Sequence, residues 1–194
     1  MPEFPFAWRI SALLLFSAAA VALDRRHPPE QRTRWREYSV LCLGTSIGIV
    51  FGVAVDSITS SISPDYFVHG KWITSGPGFR SQVLLLGAKA GSSAGVIGTA
   101  VLLIANPHPK RAFVASRLIW LPVVGAASLG SLFGVIQSQS GLMRWSAEHA
   151  LLGERRALLF ETVWAAHLGV YVGALSGLTS AVVLLRRTRM KISE

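Results

Sequence analysis

Apolar residues run along this chain in long blocks separated by short polar segments. Residues 38–62, 81–105, 113–137 and 158–185 are each apolar enough and long enough for a membrane span. A span needs about 20 mostly apolar residues to cross about 30 Å of hydrocarbon. Residues 5–23 (PFAWRISALLLFSAAAVAL) form a weaker fifth block. The blocks far exceed the length of a strand, and none alternates apolar and polar residues as a membrane strand would. The pattern predicts an all-α integral membrane protein.

Block 5–23 admits two readings. Its apolar core is short, and Ala20-Val21-Ala22 resembles the cleavage site of a signal peptide. Against cleavage, the preceding segment carries Glu3 and a single arginine, and the arginines that follow would have to be translocated. A retained first helix is expected, set apart by Pro28-Pro29 in a polar linker. The chain then divides into residues 1–37, with the first helix and an Arg-rich linker, and two hairpin units, 38–112 and 113–194.

The two hairpins resemble each other. At an offset of 82 residues, Phe51-Gly52-Val53 meets Phe133-Gly134-Val135, Leu86-Gly87 meets Leu168-Gly169, and Val101-Leu102-Leu103 meets Val183-Leu184-Leu185. A pseudo-two-fold axis along the membrane normal is expected from such a repeat, because two spans per unit preserve orientation. Each strong block also carries small residues four apart: Gly44, Gly48 and Gly52; Gly87, Gly91 and Gly95; Ala126, Gly130 and Gly134; Gly169, Gly173 and Gly177. Residues four apart share a helix face, and missing side chains let backbones approach closely in lipid. The expected fold is a four-helix transmembrane bundle of two tandem helical hairpins plus one N-terminal transmembrane helix. Its glycine-rich faces are also expected to dock a protein partner or a second copy.

Composition changes this picture little: 51% hydrophobic and 15% charged is ordinary for a membrane protein. The net charge of +9 matters through its placement. Arg25, Arg26, Arg32, Arg34, Arg36, Lys110, Arg111, Arg117, Arg186, Arg187, Arg189 and Lys191 fall on one side of the predicted spans. The positive-inside rule puts that side in the cytoplasm, with the N-terminus outside and the C-terminus inside. Arginines at helix ends, without a basic soluble domain, exclude nucleic acid as the expected partner and leave the lipid bilayer. The lone Cys42 excludes an intramolecular disulfide and a cysteine metal site.

Ionisable groups inside a span are costly and are functional candidates by default. Asp56, Lys89, Glu161 and His167 qualify. Tyr171 joins them, one turn from His167 and at the repeat equivalent of Lys89. Structural roles compete with functional ones. Asp56 and Lys89 can pair, Lys89 can snorkel to the headgroups, Glu161 can favour its helix N-terminus, and His167 can be a hydrogen-bonded core histidine. No metal ligand set and no cofactor motif is expected: Glu161 and His167, six apart, do not share a face, and no Glu-x-x-His or His-x-x-x-His occurs on a span. No nucleophile elbow or phosphate loop is expected either.

The stretch DSITSSISPDYFVHGKW, residues 56–72, ends the first strong span. Its hydroxyls can bond carbonyls one turn back. Ser63-Pro64-Asp65 fits a helix stop and restart with Ser63 as the cap. Asp65, Tyr66, Phe67, His69 and Trp72 are outer-loop interaction candidates, with Glu148 and His149 of SAEHALLGE (146–154) in the matching loop of the second hairpin. The loop SISPDYF resembles a Ser-Pro-acidic-Tyr-Phe signature of uncharacterised bacterial multi-pass membrane proteins. WAAHLGVYVGALSG (164–177) is similar to the last span of that group. The resemblance covers the four strong spans and implies a bacterial inner-membrane location without an activity. The expected function is a non-enzymatic accessory or scaffold subunit of a membrane complex. A small transporter or channel with an outward-facing polar site is the alternative, and a metal-dependent membrane enzyme a second one.

Overall fold

The computed structural model describes residues 6–28, 34–106 and 112–190. Arg32, Lys110, Arg111 and Lys191 of the basic side lie outside the described residues, as do Glu3 and Pro29. The elements are α1 (Phe6–Asp24), α2 (Arg34–Ile62), a π-helical turn (Tyr66–Gly70), α3 (Phe79–Ala105), α4 (Ala112–Leu118), α5 (Trp120–Ser140), α6 (Ser146–Leu152) and α7 (Glu154–Met190). Among the described residues there is no strand. Four helical segments are long and apolar enough to cross a membrane: α2, α3, α4 with α5, and α7. Only 17–22% of their most apolar windows is buried by the protein, so most of their surface is left for lipid.

Each pair of neighbouring spans is held by backbone contact. A Cβ on Gly48 would collide with the carbonyl oxygen of Gly91, one on Gly52 with that of Gly87, and one on Gly95 with that of Gly44. The descending register makes α2 and α3 antiparallel. In the second hairpin, Gly173 lies against the Gly125 carbonyl, Gly169 against that of Leu129 and Gly177 against that of Leu121. The approach on α5 therefore runs through Leu121, Gly125 and Leu129, one position before the stripe Ala126, Gly130 and Gly134. The reason is that α7 supplies the missing side chains, so a carbonyl ridge of α5 is enough to fill its groove. The glycine faces, read above as a docking surface for a partner or second copy, are thus covered from within the chain.

The two hairpins touch each other sparingly. They meet at two apolar clusters, one near each end. At the basic end Val40, Leu102, Ala115, Ile119, Ala181 and Leu185 pack together. At the other end, Tyr66, Phe67, Ile73, Val83, Phe160 and Val163 do so; we call it the aromatic end. There the guanidinium of Arg156 grips Asp65 with both carboxylate oxygens, Nε donating at 2.9 Å. The α4–α5 span is interrupted at Ile119, whose N–H reaches back to the Ser116 carbonyl at 3.3 Å. Pro122 follows, and its missing N–H frees a carbonyl of the preceding turn. Helix α1 packs on α2; Asp24 Oδ2 accepts from the Trp35 N–H at 3.1 Å, capping the start of α2.

The glycine geometry separates positions that look alike in sequence. Gly91→Leu should destabilise by about 3 kcal/mol or more, because the added side chain meets backbone that cannot move aside. Gly98→Leu should instead be neutral or stabilising by about 1 kcal/mol, since a Cβ there meets nothing within 4 Å and glycine is a poor helix former. Thermal unfolding in detergent, followed by circular dichroism, checks both; equal losses would overturn the assignment.

Candidate functional site

Between the two end clusters the helices do not fill the space. A cavity of about 330 Å³ is lined by all the long helices of both hairpins. Its walls are mostly small or aliphatic: Gly48, Gly52, Ala90, Ala94 and Gly98 beside Ile47, Phe51 and Leu178. Close packing within each hairpin explains it. Glycine faces turned toward the hairpin partner leave short side chains elsewhere on α3, and these cannot reach across to α7.

The aromatic end of the cavity is polar. Asp56 and His167, both 7% exposed, meet there, with His167 Nε2 3.2 Å from Asp56 Oδ1. His167 Nδ1 lies 2.8 Å from the Val163 carbonyl oxygen. A carbonyl only accepts, so Nδ1 carries a proton and donates it. The contact between Nε2 and Oδ1 then needs one further proton, held by either the imidazole or the carboxyl group. Below the pair, Tyr66 stacks on His167, with ring centroids 4.8 Å apart and planes inclined by 25°. Lys71 Nζ lies 5.4 Å from the centroid of the Tyr66 ring. Burial, with the charges of Tyr171 and Asp56, pushes the Tyr66 phenol up, so it stays protonated.

Thus Asp56, His167 and Tyr171 come together on the cavity lining. Lys89 does not join them. It is exposed and outside the lining, so the expected Asp56–Lys89 pair is replaced by Asp56–His167. An exposed lysine in a span can extend its stem to the headgroups, whereas the imidazole needs a buried partner.

Glu161 belongs to a separate network. Because α7 starts at Glu154, four residues before the predicted span, Glu161 lies two turns inside and beyond the helix-end dipole. Its Oε1 accepts from the Trp145 N–H at 2.7 Å and lies 3.2 Å from His149 Nε2. Its Oε2 accepts from the Gln137 amide at 3.3 Å. Gln137 also exchanges hydrogen bonds with the backbone of Met143, both at 2.8 Å. The buried carboxylate thereby pins the α5–α6 loop, and Trp145 sits edge-on to Trp164 at 4.4 Å. Gln137 was missed in the sequence reading, although a lone amide in an apolar span is a signal.

The other loop candidates divide. Tyr66 and Phe67 are buried, whereas His69 and Trp72 are exposed; Trp72 is held at φ 57°, in the left-handed region. Glu148 is half-buried, with no partner for Oε2 among the described residues. Ser57, Thr59, Ser60 and Ser61 bond carbonyls of the preceding turn at 2.6–3.1 Å. The helix stops at Ile62 and restarts at Pro64, but Ser63 does not cap it. The Ser63 hydroxyl is buried with no partner among the described residues, and its backbone carbonyl receives the Tyr66 N–H instead. No three His, Cys, Asp or Glu side chains converge among the described residues. No family model matches the chain, and comparisons with curated proteins and with solved structures give no match.

Two outcomes follow from this geometry. Asp56→Leu or His167→Leu alone strands a buried polar partner and should cost about 3 kcal/mol. The double substitution should cost less than the two single ones together, as a double-mutant cycle of unfolding in mixed micelles would read. Additivity would mean that the pair is not coupled. Arg156 holds the Asp65 carboxyl below its ordinary 3.8. A depressed carboxyl contributes stability above its unfolded pKa and loses it as pH falls through its folded one. The small difference in melting temperature between wild type and Arg156→Gln should therefore be present at neutral pH and be lost in acid, as pH falls past the ordinary 3.8 and through the lowered folded value.

Proposed function

We propose that the protein is a small multi-pass membrane carrier that binds a hydrophobic small molecule between its two hairpins. The observation that carries this reading is the cavity with the Asp56–His167 pair at one end. The space is open between the hairpins, since Ile97, Tyr171 and Leu175 of its lining are exposed, and this supports entry of a molecule dissolved in the bilayer. The volume falls at the low end of the range for small-molecule sites, about 300–1,000 Å³.

A scaffold needs no internal space, and the glycine faces that would have served a partner are occupied within the chain. The transporter alternative gains from both facts. Sparse contact between the hairpins, concentrated at two ends, supports rocking of one against the other, as alternating access requires. The metal-enzyme reading gains no support from the described side chains. The 82-residue repeat fits a carrier of two related halves. The excess of Lys and Arg favours a cytoplasmic basic end, an outside N-terminus and a cytoplasmic C-terminus. The resemblance of the SISPDYF loop favours a bacterial inner membrane.

Native mass spectrometry of the untagged protein, extracted gently from its own membrane, tests the reading, with metal measured on the same sample. The expected result is a bound small molecule in wild type that is lost in Gly98→Leu, whose new side chain fills the cavity. A stoichiometric protein partner with no small molecule would return the scaffold reading.

A further inference from the structure

The lining of the cavity says which chemistry the occupant has. Its only titratable side chains are Asp56, His167 and Tyr171. The hydrogen-bond directions leave Asp56 and His167 a single proton to share, so the pair is neutral overall in either form. Among the described residues the lining contains no Lys or Arg. Lys89 is exposed and outside it, and Lys71 is engaged with the Tyr66 ring. A charged head brought into this lining would therefore meet no counter-ion, and an unpaired charge in a low-dielectric site is costly. An uncharged oxygen has a place. The Tyr171 hydroxyl donates to none of the described residues and lies on the lining beside the pair. The pair can itself offer a hydrogen bond to a carbonyl or accept one from a hydroxyl.

The rest of the cavity is apolar and elongated. From Asp56 it runs along α2 to Gly44, twelve residues away and so about 18 Å. A volume of about 330 Å³, at the low end for small-molecule sites, suits one hydrocarbon tail rather than two.

We infer that the cavity takes a single-tailed lipid with an uncharged carbonyl or hydroxyl head. The head sits at Asp56, His167 and Tyr171, and the tail lies toward Gly44 and Leu178. This rests on the ligand-binding reading above and adds to it the charge and shape of the ligand.

Four probes of equal tail length separate the possibilities: decylbenzoquinone, decanol, decyl phosphate and decyltrimethylammonium. Each is offered to the full-length protein in nanodiscs, and adducts are counted by native mass spectrometry across a concentration series. The two neutral probes should bind at least about tenfold more tightly than either charged one, and their relative strength identifies a carbonyl or a hydroxyl head. Tyr171→Phe should weaken the preferred neutral probe about tenfold while leaving the melting temperature unchanged. Gly98→Leu should abolish binding in a protein that melts no lower than wild type. Charged probes that bind as well as neutral ones would overturn the inferred head class and leave the ligand site standing. Failure of every probe would overturn both. Binding undiminished in Gly98→Leu would overturn the assigned location.

Discussion

Contact of backbone with backbone inside each hairpin is the constraint on which the rest of this structure depends. Between helices in lipid there is no hydrophobic drive, so association has to come from close packing. Here glycines of one helix rest on carbonyls of its neighbour: Gly91 on Gly48 and Gly173 on Gly125. Two rigid antiparallel pairs result. The same choice limits what the chain can do elsewhere. Small residues committed to the hairpin interface leave few long side chains at the centre, and the two hairpins meet mainly at their ends.

The end clusters and the cavity are therefore two aspects of one arrangement. Bulky residues occur where the hairpins touch: Tyr66, Phe67 and Phe160 at the aromatic end, Leu102, Ile119 and Leu185 at the basic end. Between them the lining is short-chained, and the space persists. The buried Asp56–His167 pair lies where the cavity approaches the aromatic cluster, with the His167 ring stacked on Tyr66. Aromatic packing fixes the imidazole, and the imidazole in turn supplies the buried carboxylate with a partner. The loops at that end are tied down separately, by Arg156 on Asp65 and by Glu161 on the α5–α6 turn.

Much of the fold was legible in the sequence because its signals are local. Block length and apolarity mark the four spans, and four-residue spacing marks the glycine faces of α2, α3 and α7. On α5 the predicted face Ala126, Gly130 and Gly134 is buried, with Gly130 and Gly134 against α7, but the closest backbone approach adds Leu121, Gly125 and Leu129, one position earlier. Asp56, His167 and Tyr171 stood out as polar groups in apolar blocks, but their pairing did not. Asp56 lies 111 residues from His167, and charge alone recommends Lys89. What decides the pairing is which face each helix turns inward, a property of two hairpins together. Gln137 stands out as a lone amide in an apolar span, but its partner does not, and Arg156 is legible only once Asp65 has been placed.

Glycines build both hairpins, whereas the buried polar pair at the cavity is drawn from the first helix of one hairpin and the last helix of the other. At an offset of 82 residues Asp56 and His167 meet Ser138 and Leu85, both exposed, so no second pair stands at those positions. Any movement of one hairpin against its neighbour would separate Asp56 from His167. The pair therefore depends on how the two hairpins sit against each other.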